Sequence, residues 1–408
     1  MKPNLEADFF IGNRQKLRTL FSGTAPIVLT ANSLLQKSTD TAYPFTQEGN
    51  FWYLTGLSEP DLILVIDKDK EYLIAPSQSE VRAAFDGSLD IKNIASRSGI
   101  KEILDDKTGW KKLGHKLKKS TSAAIISPAA PYIDSLSLYT NPAKVTLKQK
   151  LLSYNQNLTL LDLRQHLQRM RMVKQPEELI WIQKAVDITG KALKRVAKSY
   201  RDGRYQHEFE IELELTKLFH KYGADGHSFE PIVASGSKAC VIHPQGNQAK
   251  IKPDDPLLLD IGAAFNNYAA DISRTWATKP SRRFTAVYNS VTEVADFAKG
   301  LLKPGVLLKD YEKSIEGFMG EKLRELGLIK TVEHAEIRRY FPHSTSHFLG
   351  IDVHDVGDYD QALETGVVLT VEPGIYIPDE GIGVRIEDDI LINQNGIVNL
   401  SGRIPNVL

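Results

Sequence analysis

Short apolar runs separated by turn residues alternate with helical periodicity through the first third of the chain. Residues 26–32 (PIVLTAN) and 62–68 (LILVIDK) read as β-strands, and 71–76 (EYLIAP) follows the second after a polar turn. Residues 81–85 (VRAAF) begin a helix, and 123–127 (AAIIS) form another buried strand that ends at Pro128. This alternation predicts a small α/β domain built on a central sheet. In the lysine-rich tract 107–119, Trp110, Leu113 and Leu117 recur at i, i+3 and i+7. That spacing is one face of a helix whose lysines point to solvent.

The pattern changes near 165–176. Pro176 followed by Glu177 and Glu178 marks a helix start, because proline fits the first turn and acids suit the positive end of the helix dipole. Further helices are predicted over 206–222 and 284–302, with strand-like segments between them and after 343. The chain therefore divides into an N-terminal α/β domain, 1–165, and an α+β domain with antiparallel strands, 166–408.

Composition narrows the function classes. The 408 residues carry 51 basic and 51 acidic side chains, a formal charge of 51 − 51 = 0. That balance argues against a nucleic-acid binder, and the lysine tract lacks the interleaved aromatics such a role needs. Cys240 is the single cysteine, so no disulfide framework is expected. No stretch of about 18 apolar residues is present to span a membrane, and the N-terminus lacks a secretory pattern. A cytoplasmic protein is expected.

Four acids interrupt apolar runs. Asp260 ends the apolar run that opens PLLLDIGAAF, and Asp271 lies in the next strand, with Asn266-Asn267 as a hairpin turn between them. Glu372 ends the apolar run that opens VVLTVEPGIYI, and Glu387 lies in a strand after the Gly381–Gly383 turn. Two hairpin-like units thus bring four carboxylates together, and buried carboxylates need cations. The segment 341–355 (FPHSTSHFLGIDVHD) adds His343, His347 and His354, of which His347 completes a set of four acids and one imidazole. Such an oxygen-rich set favours Mn²⁺ or Co²⁺. Five donors suit two ions about 3.5–4 Å apart. Taken singly, each residue has a structural reading as a turn, cap or solvated edge; their ordered convergence favours the metal site. Rival motifs are weaker. Cys240 and His243 face opposite sides if 241–244 continues a strand. Ser235-Gly236-Ser237-Lys238 resembles the tail of a phosphate-binding loop, but the earlier glycine is missing.

The ordered set DIGAAFNNYAADISRTW, HSTSHFLGIDVHDVG, LTVEPGIYI and GIGVRIEDDI resembles the Xaa-Pro aminopeptidase (aminopeptidase P) and prolidase family, metallopeptidase family M24. Residues 43–66 (YPFTQEGNFWYLTGLSEPDLILVI) resemble its N-terminal domain as well. The resemblance implies a pita-bread catalytic domain behind a smaller creatinase-like N-terminal domain that serves assembly and substrate access. It also implies hydrolysis of the bond between an N-terminal residue and a penultimate proline in peptides. Asp260, Asp271, His347, Glu372 and Glu387 would hold two divalent ions, Mn²⁺ first and Co²⁺ or Zn²⁺ otherwise, with an acidified bridging hydroxide as nucleophile. Glu372 would carry protons, His243 would steady the tetrahedral intermediate, and His343 and His354 would flank the scissile bond and leaving group. Arg385 would hold the bridging Glu387 ionised, and the chain would form a homodimer or homotetramer.

Two departures stand out: Ser344 replaces the usual glycine after His343, and the 376–381 connection is short. Methionine aminopeptidases usually lack the N-terminal domain, and creatinase-like hydrolases lack the metal ligands. The alternatives are a dipeptide-specific prolidase or a non-catalytic binding module on the same fold.

Overall fold

The computed structural model describes residues 7–68, 70–128, 137–252 and 255–406. It divides into two compact units, Met1–Met170 and Arg171–Leu408.

The first unit is built on a six-stranded sheet. Its strands are β1 (Ile27–Thr30), β2 (Ile63–Asp67), β3 (Lys70–Ala75), β4 (Ile103–Asp105), β5 (Ser122–Ile125) and β6 (Thr159–Asp162). They lie in the order β4-β3-β2-β1-β5-β6. β1, β2 and β3 pair antiparallel, and the outer neighbours pair parallel. β4 and β6 are absent from the sequence reading. Three residues are too few to show a period, and β6 is mostly exposed, so it lacks an apolar run. The lysine tract forms the helix Asp106–Leu117, with Leu113 and Leu117 buried and Lys111 and Lys112 exposed.

The second unit combines helices with four small antiparallel sheets. Its strands are β7 (Gly226–His227), β8 (Ile232–Ser235), β9 (Leu257–Ile261), β10 (Ala263–Phe265), β11 (Tyr268–Ala269) and β12 (Ile272–Trp276). After the central helices come β13 (Val368–Val371), β14 (Gly374–Ile377), β15 (Ile382–Arg385), β16 (Asp388–Asn393) and β17 (Gly396–Asn399). The sheets are β11-β10-β7, β12-β9-β8, β13-β16-β17 and β14-β15. Helix Pro176–Arg201 starts at the expected proline, where the Gln175 N–H donates to Glu178 Oε2 at 2.8 Å. Helices Glu208–Lys221 and Arg282–Leu301 match the predicted segments, and Leu308–Glu325 adds one more.

Valines 287, 291 and 294 and residues Leu308, Ile315 and Met319 share one core with Leu369, Val371, Ile390 and Ile392. Burial of these side chains, at roughly 25 cal/mol per Å² of apolar surface, gives the β13–β16 pair a rigid backing. Helix Pro176–Arg201 meets the other hairpin: Ala263 N–H donates to Thr189 Oγ1 at 2.9 Å, and Tyr268 O–H to Glu178 Oε1 at 2.9 Å. Each hairpin is thus held from behind, leaving its acids on the open side.

Candidate metal centre

Backbone geometry aims the acids. Asn266 and Asn267 both adopt left-handed φ, 51° and 61°, closing the two-residue turn between β10 and β11. Asparagine tolerates that region better than other side chains, which is why the turn was legible. Asp260 sits in β9, opposite Ser273 of β12 and Ile232 of β8. Asp271 lies one residue before β12, not within a strand as the sequence suggested. The chain changes sheets there, and the crossing is so close that a Cβ on Gly262 would fall 1.7 Å from Ala270 O. Glu387 likewise occupies the two-residue break between β15 and β16, where its N–H donates to Ser273 O at 3.1 Å. Both acids are freed from strand pairing at the point where the hairpins meet. Glu372 follows β13 directly and donates its N–H to Thr345 O at 2.8 Å.

One cavity of about 520 Å³ is lined by Asp260, Asp271, His347, Glu372 and Glu387, and by His243, His354 and Arg385. His343 is outside this lining but adjoins it, its Nδ1 3.9 Å from Glu372 Oε2. Donor atoms of Asp271, His347 and Glu387 all lie within 4.8 Å of one another. His347 Nε2 stands 3.4 Å from Asp271 Oδ2 and 3.5 Å from Glu372 Oε1. Its Nδ1–H donates to Phe348 O at 3.0 Å, an assignment made from the hydrogen bond. The Nε2 lone pair then faces carboxylate oxygens.

The electrostatics are those of a site with uncompensated negative charge. Burial, then the charges of Asp260, Asp389 and Glu372, hold Asp271 well above the usual carboxylate range. Burial and Asp271 do the same to Glu387. Glu372 is pushed up to about 7, chiefly by burial, against the pull of His347 and Arg385. Asp260 Oδ1 is buried with no hydrogen-bond partner among the described residues. A lone imidazole acceptor, an orphaned carboxylate oxygen and mutually repelling acids fit divalent cations, which would satisfy all three at once.

Arg385 makes its direct hydrogen bonds elsewhere than at Glu387. Its Nη2 donates to Asp260 Oδ2 at 2.7 Å and its Nε to Ser273 Oγ at 2.8 Å. Its charge pulls Glu387 towards the ionised form, while the hydrogen bond to Glu387 comes from Ser273, whose hydroxyl donates to Glu387 Oε2 at 2.8 Å. The remaining Nη1 donates to Tyr376 Oη at 2.8 Å. Tyr376 O–H in turn donates to His343 Nε2 at 2.8 Å, and His343 Nδ1–H to Ser344 O at 2.8 Å. Burial, then the charge of Arg385, lowers His343 to about 4, so the imidazole is neutral as this chain of donors requires. Ser344 is not among the residues at positive φ, so its backbone does not require glycine.

His354 packs edge-on against His347, with ring centroids 4.3 Å apart, and His243 is exposed on the cavity wall. Residues Gly236–Cys240 form a 3₁₀ turn, and 241–244, considered as a strand, lie outside any strand. Burial raises the Cys240 thiol, which disfavours the thiolate a nucleophile needs. Glu312 and Asp389 were missed by the sequence reading. Both Glu312 oxygens accept from Thr345 N–H at 3.0 Å, and Oε1 also from Ser346 N–H at 3.1 Å. Asp389 Oδ2 accepts from Asp271 N–H at 3.2 Å. The run Glu387-Asp388-Asp389, readable as a solvated acidic edge, is buried throughout.

Paired hairpins that focus acids and one imidazole on an open cavity define a metal-dependent hydrolase. The model of metallopeptidase family M24 matches residues 181–394, and that of the aminopeptidase P N-terminal domain matches 10–126. The chain belongs to metallopeptidase family M24, with the pita-bread fold in its catalytic domain and an aminopeptidase P-type domain before it. It is similar to the Xaa-Pro aminopeptidase of Escherichia coli, 31% identical over 94% of this chain and 91% of the relative. Among solved structures it is similar to a putative aminopeptidase P from Bacillus anthracis, with TM-score 0.88 and 29% identity over 98% of this chain and 96% of that one. It is also similar to aminopeptidase P from E. coli with the inhibitor Pro-Leu, with TM-score 0.84 and 29% identity over 98% and 96% of the two chains. No helix among the described residues is long and apolar enough to cross a membrane.

Proposed function

We propose that this protein is an Xaa-Pro aminopeptidase, removing an N-terminal residue that precedes proline. The observation that carries the reading is the convergence of Asp260, Asp271, His347, Glu372 and Glu387 on one cavity with an orphaned Asp260 oxygen, in an M24 chain. These five residues would hold two divalent ions, with Mn²⁺ favoured by the oxygen-rich donor set. When bound, the ions supply Lewis acidity that acidifies water and polarises the scissile carbonyl.

The chain's own residues divide the remaining work. Glu372, set between His343 and His347 in the cavity, takes a proton from water and returns it to the departing proline nitrogen. Arg385 fixes Asp260 in one orientation. His243, exposed on the wall, donates to the developing oxyanion, and His354 faces the leaving group from beside His347. Neutral His343 is held by Tyr376 next to Glu372. The Xaa–Pro bond lacks an N–H, so a peptidase that grips that group is disfavoured, and recognition falls to a pocket shaped for the ring.

Residues 1–165 serve assembly and substrate access in this reading, with the chain acting on proline-containing peptides as a cytoplasmic homodimer or homotetramer. Multi-angle light scattering tests the assembly. The aminopeptidase P-type N-terminal domain supports action on Xaa-Pro-Xaa and longer peptides over Xaa-Pro dipeptides. The deciding experiment is a Mn²⁺-supplemented assay of tripeptides against dipeptides, with methionyl peptides lacking proline as control. Turnover of Xaa-Pro-Xaa alone is expected; cleavage of the methionyl control overturns the reading.

A further inference from the structure

In the motif Ser235-Gly236-Ser237-Lys238, which resembles part of a phosphate loop, the lysine is held by this chain's own groups. Lys238 Nζ donates to Glu208 Oε2 at 2.5 Å and also to Gly246 O. Glu208 opens helix Glu208–Lys221 and is fully buried. Its Oε1 accepts from Ser235 N–H at 2.8 Å and Ser235 Oγ at 2.9 Å, and its Oε2 from Ala249 N–H at 3.3 Å. One buried carboxylate therefore ties β8 to residue 249, and Lys238 extends the tie to residue 246. Between these points runs the loop that carries His243. Its far side is fastened by Asn247, whose Nδ2 donates to Glu212 Oε2 at 2.9 Å and to Pro231 O at 3.1 Å.

We propose that Lys238, acting through Glu208 and Gly246, is a positioning residue that sets His243 against the cavity. The geometry carries this because His243 itself is exposed and starts only three residues after the 3₁₀ turn ends. An exposed side chain on a loop has no packing to fix it, so its placement falls to the loop's anchors. Lysine suits this role because a compact ammonium with several donors can bridge a carboxylate and a carbonyl at once. The inference rests on the proposed role of His243, and the test separates the two.

The experiment is a double-mutant cycle on the full chain, with Lys238→Met, Lys238→Arg and His243→Ala, assayed for kcat and KM on an Xaa-Pro-Xaa peptide at saturating Mn²⁺. Lys238→Met is expected to lower kcat by about tenfold in the parent, a size common for coupled neighbours, and to change it little in His243→Ala. Metal content should be unchanged, and Lys238→Arg should recover most of the rate. An equal fold-loss in both backgrounds means that Lys238 acts only on general stability and overturns the proposal. If Lys238→Met alone does not fold, because Glu208 is left as an unpaired buried charge, the pair Lys238→Met/Glu208→Gln removes both charges and carries the same cycle. A His243→Ala enzyme at full rate overturns the role of His243, and the brace falls with it.

Discussion

Arg385 hydrogen-bonds Asp260, not the neighbouring Glu387: its Nη2 lies 2.7 Å from Asp260 Oδ2, and Glu387, which feels the guanidinium's charge, takes its hydrogen bond from the Ser273 hydroxyl. Asp260 thereby has one oxygen neutralised by the protein and the other left bare. The bare oxygen is the one available to a cation.

This pairing makes Arg385 a structural partner of the metal-free site. It is 2% exposed, and its three nitrogens serve Ser273, Tyr376 and Asp260. Arg385→Met strands Asp260 as an unpaired buried charge, which typically costs about 3–5 kcal/mol. Urea unfolding in the presence of a chelator should show a loss of that order. Arg385→Lys should rescue only part, since an ammonium cannot reproduce the planar three-way fork.

Asp271→Asn and Glu387→Gln should abolish turnover and lower metal content, read by peptide assay and elemental analysis. The same changes should raise the melting temperature of the chelated protein, because each removes a charge that burial and its neighbours disfavour. Added Mn²⁺ should stabilise the parent by about 2.7 kcal/mol at a hundredfold excess over Kd, and these variants much less. Full activity in either variant would sink the two-ion model.

The pH response follows with a definite sign. Asp271, Glu372 and Glu387 have folded-state pKa values raised above their unfolded ones. At these three carboxylates the cation-free folded chain binds more protons than the unfolded chain, so they remove stability as pH rises above the ordinary carboxylate range. His343 and His354, lowered to about 4, act in the opposite sense up to the ordinary histidine range. The melting-temperature advantage of chelated Asp271→Asn over the chelated parent should therefore widen from pH 5 to pH 8, and the gain of the parent from Mn²⁺ should grow over that interval as protons stop competing. Differential scanning fluorimetry checks both, and an advantage of Asp271→Asn that shrinks towards pH 8 would contradict the assignment.

In the first unit the sign reverses. Burial alone would raise Glu71, but Arg14 and then Arg18 outweigh it and lower its pKa. Arg14 is fully buried, with Nη2 2.8 Å from Glu71 Oε1. This pair's stabilisation is present above the unfolded glutamate pKa and is lost as pH falls through the lowered folded value. Glu71→Gln should lower the melting temperature at pH 7 and flatten the acid limb of stability, measured on the full chain.

How much of this was legible in the sequence depends on whether a signal was local. Asn266-Asn267 announced its turn because few residues accept left-handed φ. Asp260, Asp271, Glu372 and Glu387 stood out because charges inside apolar runs demand compensation. The exact placement of Asp271 and Glu387 was not readable, since both sit where the chain leaves one sheet for another. That crossing depends on the Gly262–Ala270 contact between segments. Arg385 could be tied to the acids by its position, but which acid it grips is decided by side-chain geometry across two sheets. Glu208 looked like an ordinary polar position on the helix expected over 206–222, and Glu312 lay in a segment given no element. Only tertiary contacts with distant loops bury them.

Glu312 gives the last prediction. It belongs to helix Leu308–Glu325, and its carboxylate accepts from the N–H groups of Thr345 and Ser346. Those residues join His343 to His347, so one glutamate sets the segment that presents an imidazole to each side of Glu372. Glu312→Ala strands both N–H groups, at roughly 1–3 kcal/mol for each buried donor left unsatisfied. Relaxation of the loop would recover part of that cost by letting water reach the amides. Amide exchange at 345–346 should then accelerate, and metal affinity should weaken because His347 Nε2 is no longer held 3.4 Å from Asp271. Glu312→Gln keeps an acceptor oxygen and should preserve most of the exchange protection. Unchanged protection at 345–346 in Glu312→Ala would show that the loop is held by Thr370, which accepts from His347 N–H, and not by Glu312.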